Sequence, residues 1–116
     1  MLVTVLKSKI HLATITSAEK DYEGSIAIDT RLLKAAGFLP GEKVAVLNHS
    51  NGERFETYTI EGKAGEIGLR GPAALLGKKG QKVIILSYAL MTPAQGKKFK
   101  PQKVFVDDRN RIKSAA

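Results

Sequence analysis

A chain of 116 residues and 12.5 kDa has room for one domain, residues 1–116, and its 43% hydrophobic and 26% charged residues are ordinary for a globular protein. The absence of Cys excludes disulfides, thiol catalysis, iron–sulfur clusters and most structural zinc sites. A net charge of +8 favours an anionic partner, but residues 97–116 hold seven basic and two acidic residues, so much of the excess falls in a stretch expected to be a solvated basic tail.

In chain order, the first apolar run, residues 1–6, is broken by Thr4 and followed by Lys7. It is too short for a signal-peptide core or a membrane span, so a chain neither exported by that route nor embedded in a membrane is expected. Short apolar, β-branched segments predict strands at 2–6, 10–16, 25–28, 44–47, 55–60, 67–69, 83–88 and 104–106. Asp29 can cap a helix over Thr30–Ala36, with Gly37 at its C′ position. Pro40-Gly41 predicts a type II turn. Asn51-Gly52 predicts a type I′ hairpin that pairs 44–48 with 54–60. Pro72 opens a short helix over 72–76, closed by Gly77. Many strands and few helices point to a mainly β fold, a small closed barrel that leaves no exposed edges.

Familiar catalytic signatures are missing. There is no dinucleotide fingerprint, phosphate loop, zinc-protease motif or nucleophile elbow, and with only His11 and His49 no His-ligated metal site is expected. The informative stretch is Tyr22-Glu23-Gly24-Ser25-Ile26-Ala27-Ile28-Asp29. Its Gly-Ser pair alone reads as a turn entering a strand. It sits, however, in an ordered set: Lys9-Ile10-His11 upstream, then Ala35-Ala36-Gly37, Asn51-Gly52-x-Arg54-Phe55-x-Thr57-Tyr58 and Gly71-x-Ala73-Ala74. In this order and spacing, over about residues 1–90, the chain resembles the bacterial aspartate 1-decarboxylase family, pyruvoyl-dependent enzymes that make β-alanine.

The resemblance implies a six-stranded double-psi β-barrel with short helices, assembled as a cytoplasmic homotetramer that serves pantothenate and coenzyme A synthesis. It also implies a source for the chemistry. Losing CO₂ from an α-amino acid leaves a carbanion that side chains cannot delocalise, so a carbonyl group must form a Schiff base with the substrate amine. In the family the Ser25 hydroxyl attacks the Gly24 carbonyl, and the resulting ester eliminates to dehydroalanine. Hydrolysis then leaves a pyruvoyl group, with a β chain of residues 1–24 and an α chain of 25–116. Gly24, without a Cβ, leaves its carbonyl open to attack.

By the same resemblance Thr57 supports the oxyanion of this shift, and His11 and Tyr22 hold the precursor loop. Arg54 and Lys9 bind the retained carboxylate of L-aspartate, Tyr58 returns a proton to the α-carbon, and Thr57, Gly71, Pro72 and Ala73 complete the substrate site. Each also has an ordinary reading: a strand Thr, a structural His, exposed strand charges, a half-buried strand Tyr. One position departs from the family, since Arg70 stands where Asn is common. Its side chain either leaves the site, which slows processing, or supplies donors to the oxyanion or substrate; slowed processing is the expectation.

Two other functions compete. A small basic β-barrel could bind nucleic acid through residues 97–113, but exposed aromatics do not interleave the charges: Phe99 and Phe105 are the only ones beyond Tyr88. A decarboxylase-like chain that stays uncut is the other. The tail, outside the matched region, is expected to be dispensable for chemistry from residue 109 onward.

Overall fold

A computed structural model describes residues 1–116. Nine strands form one hydrogen-bonded series: β1 Val3–Thr14, β2 Ser17–Glu19, β3 Ser25–Asp29, β4 Lys43–Asn48, β5 Arg54–Gly62, β6 Ile67–Arg70, β7 Lys82–Met91, β8 Gln102–Val106 and β9 Ile112–Ala115. Their order is β2-β6-β3-β5-β4-β7-β1-β8-β9. Most neighbours are antiparallel, but β3 runs parallel to β5, β2 to β6 and β1 to β8. The mainly β class with short helices agrees with the spacing of the apolar segments. The pairing order has two ends and nine strands, where the resemblance implies six in a closed barrel. β2 and β9, the two strands outside the predicted segments, are three or four residues long and largely exposed, so no apolar pattern announces them.

Helix α1, Thr30–Ala36, forms as its sequence dictates. The Asp29 carboxylate accepts from Arg31 N at 2.8 Å, and Gly37 closes the last turn in the left-handed region at φ 70°. Leu32, Leu33 and Ala36 face inward and join Ile10, Ile26, Ile28, Val44, Val46, Ile67, Leu69, Val83 and Ile85 in one core. Gly41, at φ 86°, makes the turn expected after Pro40, with Glu42 N bonded to Leu39 O. The second short helix is a 3₁₀ turn over Gly71–Leu75.

The N-terminal residues make one strand, not two. Lys7 and Ser8 do not break β1 because both find partners: Lys7 pairs with Glu42 at 2.5 Å, and the Ser8 hydroxyl donates to Ala36 O. Register shifts between Leu6 and Ser8 and between Ile10 and Ala13, with Leu12 at φ 59°, absorb the irregularity.

The predicted hairpin pairs as expected, Leu47 with Arg54 through Lys43 with Tyr58, but its turn differs. Only Gly52 has positive φ there, at 79°, so the connection is not type I′. The Asn48 side chain accepts from Ser50 N and Asn51 N and holds a four-residue loop, closed by Asn48 N to Glu53 O at 2.8 Å.

The C-terminal stretch is not a loose tail. Thr92 and Gln95 form a capping box for α2, Pro93–Lys98. β8 then lies beside β1, burying Val104 and Val106. Asn110, 2% exposed and at φ 61°, donates to Thr14 O at 2.8 Å and Gly65 O at 2.9 Å and accepts from Thr14 N at 2.7 Å. The basic side chains of the stretch are solvated, as expected; its backbone is integral to the fold. A single Asn at the right distance along the chain carries no periodic signal, which is why composition misplaces this segment.

Candidate active site at the Gly24–Ser25 bond

β3 begins at Ser25, which is 3% exposed although its preceding loop, residues 20–23, is exposed. The Gly24–Ser25 bond thus crosses from solvent into the core. It is pressed from below by the turn after β6. A Cβ built on Gly71 would lie 2.6 Å from Gly24 Cα, 2.7 Å from Gly24 N and 2.9 Å from Tyr22 O. Only glycine allows that approach at φ 72°. Pro72 follows, its Cδ 3.4 Å from where a Gly24 Cβ would stand.

Two cavities flank the bond. One of about 330 Å³ is lined by Gly24, Phe55, Thr57, Tyr58, Pro72, Ala73 and others. The other, about 250 Å³, is lined by Tyr22, Glu23, Ser25, Tyr58, Ile60 and Arg70. Tyr58, 41% exposed, belongs to both. The strands explain this convergence: β3 pairs with β5 on one side, Ile26 opposite Thr59, and with β6 on the other, Ser25 opposite Arg70.

Three expected residues lie elsewhere in the chain. Lys9, His11 and Arg54 line neither cavity. Lys9 pairs with Leu86 of β7 and Lys103 of β8, and Arg54 with Leu47 of β4. His11 packs edge-on to Phe105, ring centroids 5.5 Å apart, with its Nδ1 buried and unpartnered. Burial, then the charges of Lys9 and His49, hold its imidazole below the usual histidine range, so it is neutral at pH 7.

Sequence reasoning assigned no role to Phe55, which walls the larger cavity, or to Glu23, which faces the smaller. Strand alternation on β5 is the one signal that could have placed Phe55 beside Thr57.

The aspartate decarboxylase family profile matches residues 1–113. The chain belongs to the aspartate decarboxylase family. Aspartate 1-decarboxylase of Caldicellulosiruptor saccharolyticus is 55% identical over 97% of this chain and 89% of its own length. Those of Phenylobacterium zucineum and Caulobacter vibrioides are 51% and 50% identical, over the whole of both chains. Membership in the aspartate decarboxylase family brings the reaction class, a carboxy-lyase acting on aspartate, and a place in pantothenate biosynthesis. No helix is long and apolar enough to cross a membrane.

Proposed function

We propose that this chain decarboxylates L-aspartate to β-alanine in the cytoplasm, through a pyruvoyl group that it makes from Ser25 by cutting itself into residues 1–24 and 25–116. The observation that carries this is the Gly24–Ser25 bond itself: Ser25 buried, Gly24 backed by Gly71 and Pro72, and open space on both sides. The residues fit the group. Once formed, the pyruvoyl carbonyl would bind the substrate amine and accept the electron pair left by CO₂.

The surrounding side chains do the rest. Thr57 offers a hydroxyl donor to the oxyanion formed when Ser25 attacks Gly24. Tyr22 supports the precursor loop directly from the cavity wall; His11, packed against Phe105, takes its role in processing from the family resemblance alone. Tyr58, bordering both cavities, holds a phenolic proton within the site for return to the α-carbon. Pro72 and Ala73, which line the larger cavity, form the floor under substrate, and Gly71, packed against Gly24, completes it.

Arg54 and Lys9 hold the retained carboxylate of aspartate, and the sheet suggests how. Directly paired residues share a face, so Lys9, Leu86, Ala45 and Glu56 lie in one row, and Arg54, Leu47 and Ile84 in the next. Tyr58 is on this same face, as are exposed Tyr88 and Leu90. An outward sheet face that mixes apolar residues with the substrate-binding cations suits contact with another copy of the chain. We therefore read the protein as a homotetramer in which that face supplies Arg54 and Lys9 to a site across a subunit contact.

The test is intact mass with β-alanine formation on purified protein. The native chain is expected as two fragments, the larger beginning with a pyruvoyl group, and Ser25→Ala as one inactive chain. A Ser25→Ala protein that still splits at this bond, or an uncut native chain that still decarboxylates aspartate, would overturn the proposal.

A further inference from the structure

Arg70 is the sole cation lining either cavity at the Gly24–Ser25 bond. It is paired directly with Ser25 across the antiparallel β3–β6 ladder. Side chains directly opposite one another leave the same face of a sheet, with Cβ atoms about 5 Å apart. Arg70 and Ser25 therefore leave the same face of the sheet, and both line the smaller cavity. Two contacts fix the Arg70 guanidinium: its carbon lies 5.4 Å from the centre of the Tyr22 ring, and Nη2 donates to Glu66 Oε2 at 3.3 Å. The side chain is 31% exposed, so the charge is partly withdrawn from water. One Nη2 hydrogen is engaged by Glu66, and the remaining N–H groups are free to donate.

We infer that Arg70 holds the Gly24 carboxylate as it departs from Ser25 during self-cleavage. The inference rests on the self-cleavage reading above. In the first step Ser25 Oγ bonds to the Gly24 carbonyl carbon and the C–N bond breaks, leaving an ester and a free Ser25 amine. In the second, Ser25 Cα gives its proton to water and a Cα–Cβ double bond forms. The Cβ–Oγ bond breaks with its electron pair going to oxygen. Gly24 leaves as a carboxylate that carries the former Oγ, so a full negative charge appears where the Ser25 hydroxyl stood. Glu23 lines the same cavity and Glu66 lies against the Arg70 guanidinium, so without Arg70 the charged side chains nearest that carboxylate would be carboxylates. A guanidinium fork matches a carboxylate in shape and charge, and it acts on charge that develops only as the bond breaks. Of the two positions open to this side chain, inward or out of the site, the inward one is occupied, which argues against slowed processing.

The experiment follows cleavage of freshly purified native, Arg70→Gln and Arg70→Lys chains by intact mass, with and without hydroxylamine, which cuts an ester but spares an amide. Arg70→Gln is expected to lose full-length chain roughly 10²–10³ times more slowly, the scale of removing one donor from a developing oxyanion. The chain that accumulates should be cut by hydroxylamine at Gly24, since attack proceeds and departure stalls. Arg70→Lys, which keeps the charge, should recover most of the rate. Cleavage of Arg70→Gln at the native rate would overturn the inference, as would a stalled chain that resists hydroxylamine and is not rescued by Lys. A native chain that never cleaves and holds no hydroxylamine-sensitive bond would instead refute self-cleavage itself, and this role with it.

Discussion

In the proposed self-cleavage, Gly71 is the residue on which the geometry most visibly depends. In Gly71→Ala the new methyl would begin 2.6 Å from Gly24 Cα and 2.7 Å from Gly24 N. Carbon atoms pack at about 3.5 Å or more, so Gly24 must move by roughly 0.9 Å, or the turn after β6 must yield by that much. The left-handed backbone at φ 72° adds about 1–2 kcal/mol of strain for a residue with a Cβ. A displacement near 1 Å at a reacting bond costs on the order of 10²-fold in rate. Self-cleavage of Gly71→Ala should therefore slow by about that factor, read as loss of full-length mass with time. Gly37→Ala is the control. Gly37 has nearly the same φ, 70°, but no atom lies within 4 Å of its built Cβ. It pays the strain without touching Gly24, and should cleave at the native rate. Cleavage of Gly71→Ala within about twofold of native, or equal slowing of Gly37→Ala, would show that the close approach to Gly24 does not govern the reaction.

Arg54→Ala, compared only after full processing, should lose roughly 10- to 150-fold in kcat/KM for aspartate, the equivalent of a charge-assisted hydrogen bond worth about 1.5–3 kcal/mol; unchanged kinetics would remove Arg54 from substrate binding. Tyr58→Phe keeps the ring and loses only the hydroxyl, so it should cleave normally yet turn over roughly 10²–10⁴ times more slowly, and a near-native kcat would assign the proton elsewhere. Asn110→Ala deletes three hydrogen bonds to Thr14 and Gly65, a loss of about 3 kcal/mol at about 1 per bond. Its Tm should fall by roughly 10–15 °C, and a shift under about 3 °C would mean the latch contributes little. Removing residues 109–116 takes the same latch away, so the segment matters for stability even though no residue in it lines either cavity.

Local chemistry was enough for the elements with local causes. Asp29 and Gly37 bound α1 because a cap and a left-handed stop are satisfied within a few residues. β4, β5 and β7 declare themselves by alternation, and the ordered motifs from Lys9 to Ala74 were enough to name the family and single out Gly24 and Ser25. The sequence was less informative where a polar residue is answered from far away. Ser8 stays in a strand because Ala36 O accepts a hydrogen bond from its hydroxyl, and Asn110 is buried because Thr14 O and Gly65 O accept hydrogen bonds from its amide. Only the tertiary structure seats Gly71 under Gly24, sets Arg70 opposite Ser25, and leaves Lys9 and Arg54 out of the lining of both cavities although they share a sheet face with Tyr58. The physical reason is that a period of two tells which side of a strand a residue takes but not which strand lies beside it. The register that joins Ser25 to Arg70 and Ile26 to Thr59 spans more than thirty residues, and it is decided by how the whole apolar core closes.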